Sequence, residues 1–148
     1  PFVASAEWPH GMPADTFETF LDGCRSHPQV TLKRFRSLCS EGAEEPRSLI
    51  RQLGIGVPDT DPVLLVKGLE VLAGLNTRTA LQAYGGPQLH LFAGRDALVP
   101  VEVAVALNEW LPDVEVGLVE DASHAFLLEY PQELAANIKT FLHESGDD

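Results

Sequence analysis

Little in this chain of 148 residues points to a metal, a disulfide framework or a membrane. Its two cysteines, Cys24 and Cys39, have no CxxC spacing, and its five histidines are scattered without an HExxH. No metal and no cofactor is therefore expected. The cysteines read as small apolar helix residues in a reducing cytoplasm, with a disulfide between them left open. No apolar run approaches the ~20 residues that cross a bilayer. Basic residues are scarce: ten Lys and Arg against 22 Asp and Glu leave a net charge of −12. That balance disfavours nucleic acid or an anionic membrane as a partner. Gly-x-Ser-x-Gly occurs nowhere. The start, Pro1-Phe2-Val3-Ala4-Ser5, has neither Met nor a basic stretch like that of a signal peptide, and reads as part of something longer.

What is present suffices for one domain with a modest core, at 45% hydrophobic residues. The scarce positive charge is also unevenly placed. Six of the ten basic residues (Arg25, Lys33, Arg34, Arg36, Arg47 and Arg51) fall in one stretch. Such an island is either a solvated helix face or a docking surface for an acidic partner.

Two unlike regions follow one another. From about Pro13 to Tyr84 the apolar spacing is helical. Phe17, Phe20, Leu21 and Cys24 mark a first helix, with Asp15 as its expected N-cap, broken at His27-Pro28. Leu32, Phe35 and Leu38 mark a second, ended by Gly42. Leu49, Ile50 and Leu53 mark a third, closed by Gly54. Asp59 to Leu72 predicts a fourth, opened by Asp61-Pro62, with apolar residues around so much of it that both faces are expected to be covered. Thr77 is expected to cap a short fifth that ends at Gly85-Gly86.

From Pro87 the style changes. Leu89 to Ala93 reads as a strand buried on both faces. Val101 to Leu111 is helical, Val114, Val116 and Leu118 alternate as a second strand, and Pro131 opens a last helix. Strand–helix–strand–helix implies two parallel strands and a right-handed crossover. The expected class is α/β, a helical region followed by a β-α-β-α unit. Two strands alone leave both outer edges unpaired, so the edge of Leu89–Ala93 is expected to stay open or to take a second copy or a swapped segment.

Each strand is followed by a chemically loaded loop. Gly94-Arg95-Asp96-Ala97-Leu98-Val99-Pro100 delivers an aspartate, and Ala122-Ser123-His124-Ala125-Phe126 a histidine. In open α/β sheets functional groups collect beyond the carboxyl ends of the strands. Order and context match the last two members of the Ser…Asp…His triad of α/β-hydrolases, with Asp96 orienting His124 as base. The serines present lack an elbow, and Ser123 is expected to point away from the site. His10-Gly11 reads as a plain loop. The chain alone is expected to be inert on p-nitrophenyl esters, because an Asp–His pair lacks a nucleophile and oxyanion donors.

Longer strings narrow this. Glu7-Trp8-Pro9, Lys67-Gly68-Leu69-Glu70-Val71-Leu72 and Asn76-Thr77-Arg78-Thr79-Ala80-Leu81, together with both loops, make the chain resemble the BioH family of pimeloyl-acyl-carrier-protein methyl ester esterases over essentially its whole length. The resemblance implies the C-terminal part of an α/β-hydrolase, namely a connector after strand six (residues 1–12), a helical lid (13–86) and the last two strands and helices (87–148). It implies a serine carboxylesterase of biotin synthesis acting on the methyl ester of pimeloyl-acyl-carrier protein, with Asp96 as acid and His124 as base. It also implies that Arg34, Arg47 and Arg51 meet the acidic acyl carrier protein. A further arginine position of that set is Val30 here, with Lys33 a neighbouring point charge. Phe35 matches an aromatic of the acyl channel, against the alternative of ordinary helix packing. The residues leave room for a dehalogenase, an epoxide hydrolase or a carbon–carbon bond hydrolase on the same scaffold, or for a non-catalytic helical module acting through its basic island.

Overall fold

A computed structural model describes residues 1–55, 61–111 and 113–145. Asp59, expected to start the fourth helix, lies outside the described residues. Five helices come first: α1 (Ala14–Ser26), α2 (Pro28–Cys39), α3 (Pro46–Gly54), α4 (Pro62–Gly74) and α5 (Arg78–Ala83). Then follow β1 (Gln88–Ala93), α6 (Glu102–Trp110), β2 (Val114–Val119), α7 (Phe126–Glu129) and α8 (Pro131–Glu144). The single turn α7 has no counterpart in the sequence reading. Four residues carry no period, and it forms because Tyr130 N–H reaches back to the Phe126 carbonyl at 2.8 Å just before Pro131 restarts the chain.

Prolines set four of the eight described helix starts. Pro28, Pro46, Pro62 and Pro131 occupy the first turn of α2, α3, α4 and α8, where a missing N–H costs nothing. Asp61 caps α4 by accepting Val63 N–H at 2.9 Å. Two expected caps are corrected. Asp15 lies inside the first turn of α1, whose N-cap is Pro13, so its carboxylate acts on the helix dipole without closing the end. At α5 the side chain that accepts Arg78 N–H is Asn76 at 3.3 Å, and Thr77 makes no capping bond. The second helix stops at Cys39, ahead of Gly42, which takes φ +88° in the turn that follows.

α1 packs on α2 and α4, and α2 on α3. Arg25 ties α1 to α4 through Glu70 at 2.9 Å. The fourth helix does not have both faces covered: Val63, Leu64 and Val71 are exposed, because α1 occupies one side only. The N-terminal loop closes on itself through Ala4 N–H to Met12 O and Met12 N–H to Phe2 O, both 2.8 Å. Arg78 of α5 donates to the Glu7 carbonyl at 2.9 Å, and Trp8 meets Trp110 of α6 edge-on at 5.8 Å. The loop thereby joins the helical region to the strand region.

β1 and β2 pair in parallel from Gln88 opposite Val114 to Ala93 opposite Val119. β1 is half-buried from Gln88 to Phe92, with only Ala93 buried, which corrects the reading of a strand covered on both faces. The sheet is too narrow to be sandwiched: each strand has one partner among the described residues. Two cores result. One gathers Met12, Phe17, Cys39 and Leu98, and the other Ala93, Val119, Ala122 and Leu134. Both cysteines are free and buried, so the open disulfide alternative is not formed. No described helix is long and apolar enough to cross a membrane.

Candidate active site

Parallel pairing puts the ends of both strands side by side, and the two loops leave together. Gly94 N–H continues the ladder to Val119 O at 2.9 Å, and Arg95 N–H reaches Ala122 O at 2.9 Å. Arg95 also pairs with Asp121 across the two loops. A Cβ on Gly94 would overlap the Glu120 carbonyl, so only glycine allows this approach.

Asp96 then turns back on its own loop. Its Oδ1 accepts Leu98 N–H at 2.8 Å and Val99 N–H at 2.9 Å, leaving Oδ2 to meet His124 Nδ1 at 2.9 Å. Burial pushes this carboxyl upward, but the hydrogen bonds from His124, Val99 and Leu98 outweigh it and hold the group below the usual carboxylate range. An ionised carboxylate only accepts, so Nδ1 carries the hydrogen and Nε2 is the ring nitrogen left for chemistry. The Asp96 side chain is 5% exposed and that of His124 35%, so the carboxylate is buried and the imidazole accessible.

His124 also lines a cavity of about 230 Å³ whose other walls are almost wholly apolar, among them Met12, Phe17, Phe20, Phe35 and Leu98. Phe35 is thus at the cavity as well as in packing, against Phe20 at 5.5 Å. Helices α1, α2 and α4 roof the cavity, and the Asp96 loop supplies Leu98 to it. Sequence spacing did not single out Met12, Phe17 or Leu98 as cavity residues, because each also reads as ordinary core. No described buried side-chain polar atom lacks a hydrogen-bond partner.

The helical region is fastened to this site at the end of α2. Cys39 O accepts Ala125 N–H at 3.1 Å, and Gly42 lies against Arg95, which donates to its carbonyl at 3.4 Å. Burial, reinforced by the nearby Asp96 charge, pushes the Cys39 thiol up to about 11. A thiol held protonated at neutral pH is a poor nucleophile. Ser123 is fully buried and points away from the cavity, bonded to Glu129.

Lys33 and Arg34 on α2, and Arg47 and Arg51 on α3, are exposed on helices that pack together. None of the four pairs with a carboxylate among the described residues, whereas Arg25, of the same basic stretch, is bound to Asp22 and Glu70. Val30 is exposed at its position on α2.

Among solved structures, an esterase from Exiguobacterium antarcticum matches 96% of this chain and 53% of its own at a TM-score of 0.82 and 17% identity. A bromoperoxidase from Bacillus anthracis matches 96% of this chain and 54% of its own at 0.80 and 20% identity. This chain has an α/β-hydrolase fold. Within that fold, its sequence is similar over nearly its full length to pimeloyl-[acyl-carrier protein] methyl ester esterases. Identity to that of Aromatoleum aromaticum is 32% over 142 residues, which is 94% of this chain and 57% of the relative. To that of Vibrio campbellii it is 34% over 133 residues, 87% of this chain and 52% of the relative. The biotin biosynthesis bifunctional protein BioHC of Cellvibrio japonicus is 34% identical over 140 residues, 95% of this chain and 28% of that protein. The chain therefore spans about half the length of the esterases it matches. No protein-family model matches it.

Proposed function

We propose that this α/β-hydrolase chain is the lid (residues 13–86) and base-bearing part (87–148) of a serine carboxylesterase that hydrolyses the methyl ester of pimeloyl-acyl-carrier protein in the bacterial cytoplasm. The single observation that carries the reading is the 2.9 Å bond between His124 Nδ1 and Asp96 Oδ2 at the mouth of an apolar cavity, in a chain similar to esterases of that name. In this reading His124 Nε2 takes the proton of a serine hydroxyl contributed from outside these 148 residues. The serine oxygen attacks the ester carbonyl, and His124 returns the proton to the departing methanol. Water, deprotonated by the same nitrogen, then releases the acid and restores the serine. Asp96 stays ionised throughout and stabilises the imidazolium.

The apolar cavity would take the acyl chain, with Phe35 in its wall. Arg34, Arg47, Arg51 and Lys33, free of internal partners among the described residues, would meet the acidic carrier protein. Exposed charges of this kind raise the on-rate and the salt dependence more than the final affinity. The open edges of β1 and β2 support pairing between copies of the isolated chain, read by sedimentation.

The test uses the whole esterase and the chain alone. Asp96→Asn in the whole protein is expected to lower kcat about 10⁴-fold by fixing the wrong imidazole tautomer. The chain alone is expected to leave p-nitrophenyl esters unhydrolysed. Turnover by the chain that disappears in His124→Ala would overturn the requirement for an external serine. An unchanged kcat in Asp96→Asn would overturn the role of the pair.

A further inference from the structure

We propose that Glu129 is a positioning residue for His124, acting through Ser123 on the backbone at both sides of the imidazole. The proposal rests on the reading of His124 as the base. Glu129 Oε1 accepts Ser123 N–H at 2.9 Å and also the Ser123 hydroxyl hydrogen. With its hydrogen given to the carboxylate, Ser123 Oγ turns a lone pair to Ala125 N–H at 3.3 Å. The residues immediately before and after His124 are therefore tied to one carboxylate oxygen.

Ser123 is fully buried, so water does not replace these bonds when they are lost. Bonds to a charged acceptor are also the stronger kind. Glu129 is itself held from the far side. It ends α7, whose turn is closed by Tyr130 N–H to Phe126 O at 2.8 Å, and Leu134 of α8 is buried in the core of the sheet. The path runs from the sheet core through α8 and α7 to Glu129, Ser123 and then the base. Asp96 fixes the ring by its nitrogen, and Glu129 fixes the peptide units from which the ring projects. The lid adds a third tie, since Ala125 N–H also reaches Cys39 O at 3.1 Å.

The His124 Nδ1–H resonance in proton NMR of this chain reports the bond to Asp96 without substrate or serine. Glu129→Ala is expected to lose that resonance while far-UV circular dichroism shows the chain folded. Glu129→Gln, whose amide oxygen still accepts both Ser123 bonds, is expected to retain it. If Glu129→Ala does not fold, Ser123→Ala carries the test, because it removes the hydroxyl link and leaves the carboxylate. It is then expected to weaken the resonance in a folded chain. A folded Glu129→Ala with the parental resonance overturns the proposal, as does a parental resonance in Ser123→Ala where that variant carries the test. In the whole esterase, Glu129→Ala is expected to lower kcat about 10²-fold at unchanged KM, with recovery in Glu129→Gln. Failure of the function itself reads differently: His124→Ala would then leave esterase turnover intact, whatever the resonance does.

Discussion

Leu98 and Leu142 are the same residue type in two parts of one chain. Leu98 of the Asp96 loop is 5% exposed, packed with Met12, Phe17 and Cys39. Leu142 of α8 is 62% exposed, and Ile138 on the same helix and Leu118 on β2 are also exposed. The seam between the helices and the strand ends is thus packed as a core, while the outer side of the sheet is not. Apolar surface is buried where the site is made. The bonds across this seam, at Cys39 O and Gly42 O, join residues far apart in sequence.

The comparison breaks most severely at Gly94. Gly94→Ala drives a methyl into the Glu120 carbonyl and separates the loops, and is expected to cost about 4 kcal/mol in urea unfolding, a value reserved for named clashes. A loss below about 1 kcal/mol would mean that the loops tolerate separation. Leu98→Ala is next. It opens the seam core into the cavity and is expected to cost about 3 kcal/mol, whereas Leu142→Ala should cost under about 0.5 kcal/mol. Equal costs at the two leucines would erase the distinction between seam and outer face.

A smaller effect comes from acid. Asp96 is held below its ordinary range in the folded chain, so its contribution is present above the ordinary carboxylate pKa and is lost as pH falls through the lowered one. Stability measured from pH 6 downward should therefore fall less steeply in Asp96→Asn than in the parent. An identical slope would deny the seam its ionised carboxylate. The smallest effect on folding is expected on the exposed faces of α2 and α3. Changing Arg34, Arg47 and Arg51 together to Ala should shift stability by less than about 0.5 kcal/mol, while the whole esterase loses salt-dependent binding of acyl carrier protein. Unchanged binding and unchanged salt dependence would reject the docking role.

Much of this was legible in residue order. Prolines at helix starts and the apolar period of α1 to α3 are local signals, and the folded chain keeps them; β2 forms as read, but Leu118 of its alternation is exposed. Asp96 and His124 were legible because each closes a strand in a recognisable loop. The errors came where a neighbour decides. Val63, Leu64 and Val71 look like core in a helix rich in apolar residues, yet burial depends on α1 covering one side alone. Leu89 to Phe92 looks fully buried, yet the sheet is two strands wide. Glu129 was illegible as a site residue: a lone acid six positions after Ser123 carries no period, and only the turn of α7 brings it back.

The sequence by itself determined the order of helices and strands, the α/β class and the identity of the Asp and His that close the two strands. These depend on backbone preference and hydrophobic period, which act over a few residues. Tertiary structure decided that Asp96 and His124 meet at 2.9 Å, that Phe35 and Leu98 share one cavity with His124, and that Glu129 holds Ser123. Those facts depend on parallel strand pairing and on the docking of α2 against the loops. Both bring together groups that no local rule relates, because hydrogen bonds and packing act over a few ångströms in space, whatever the distance along the chain.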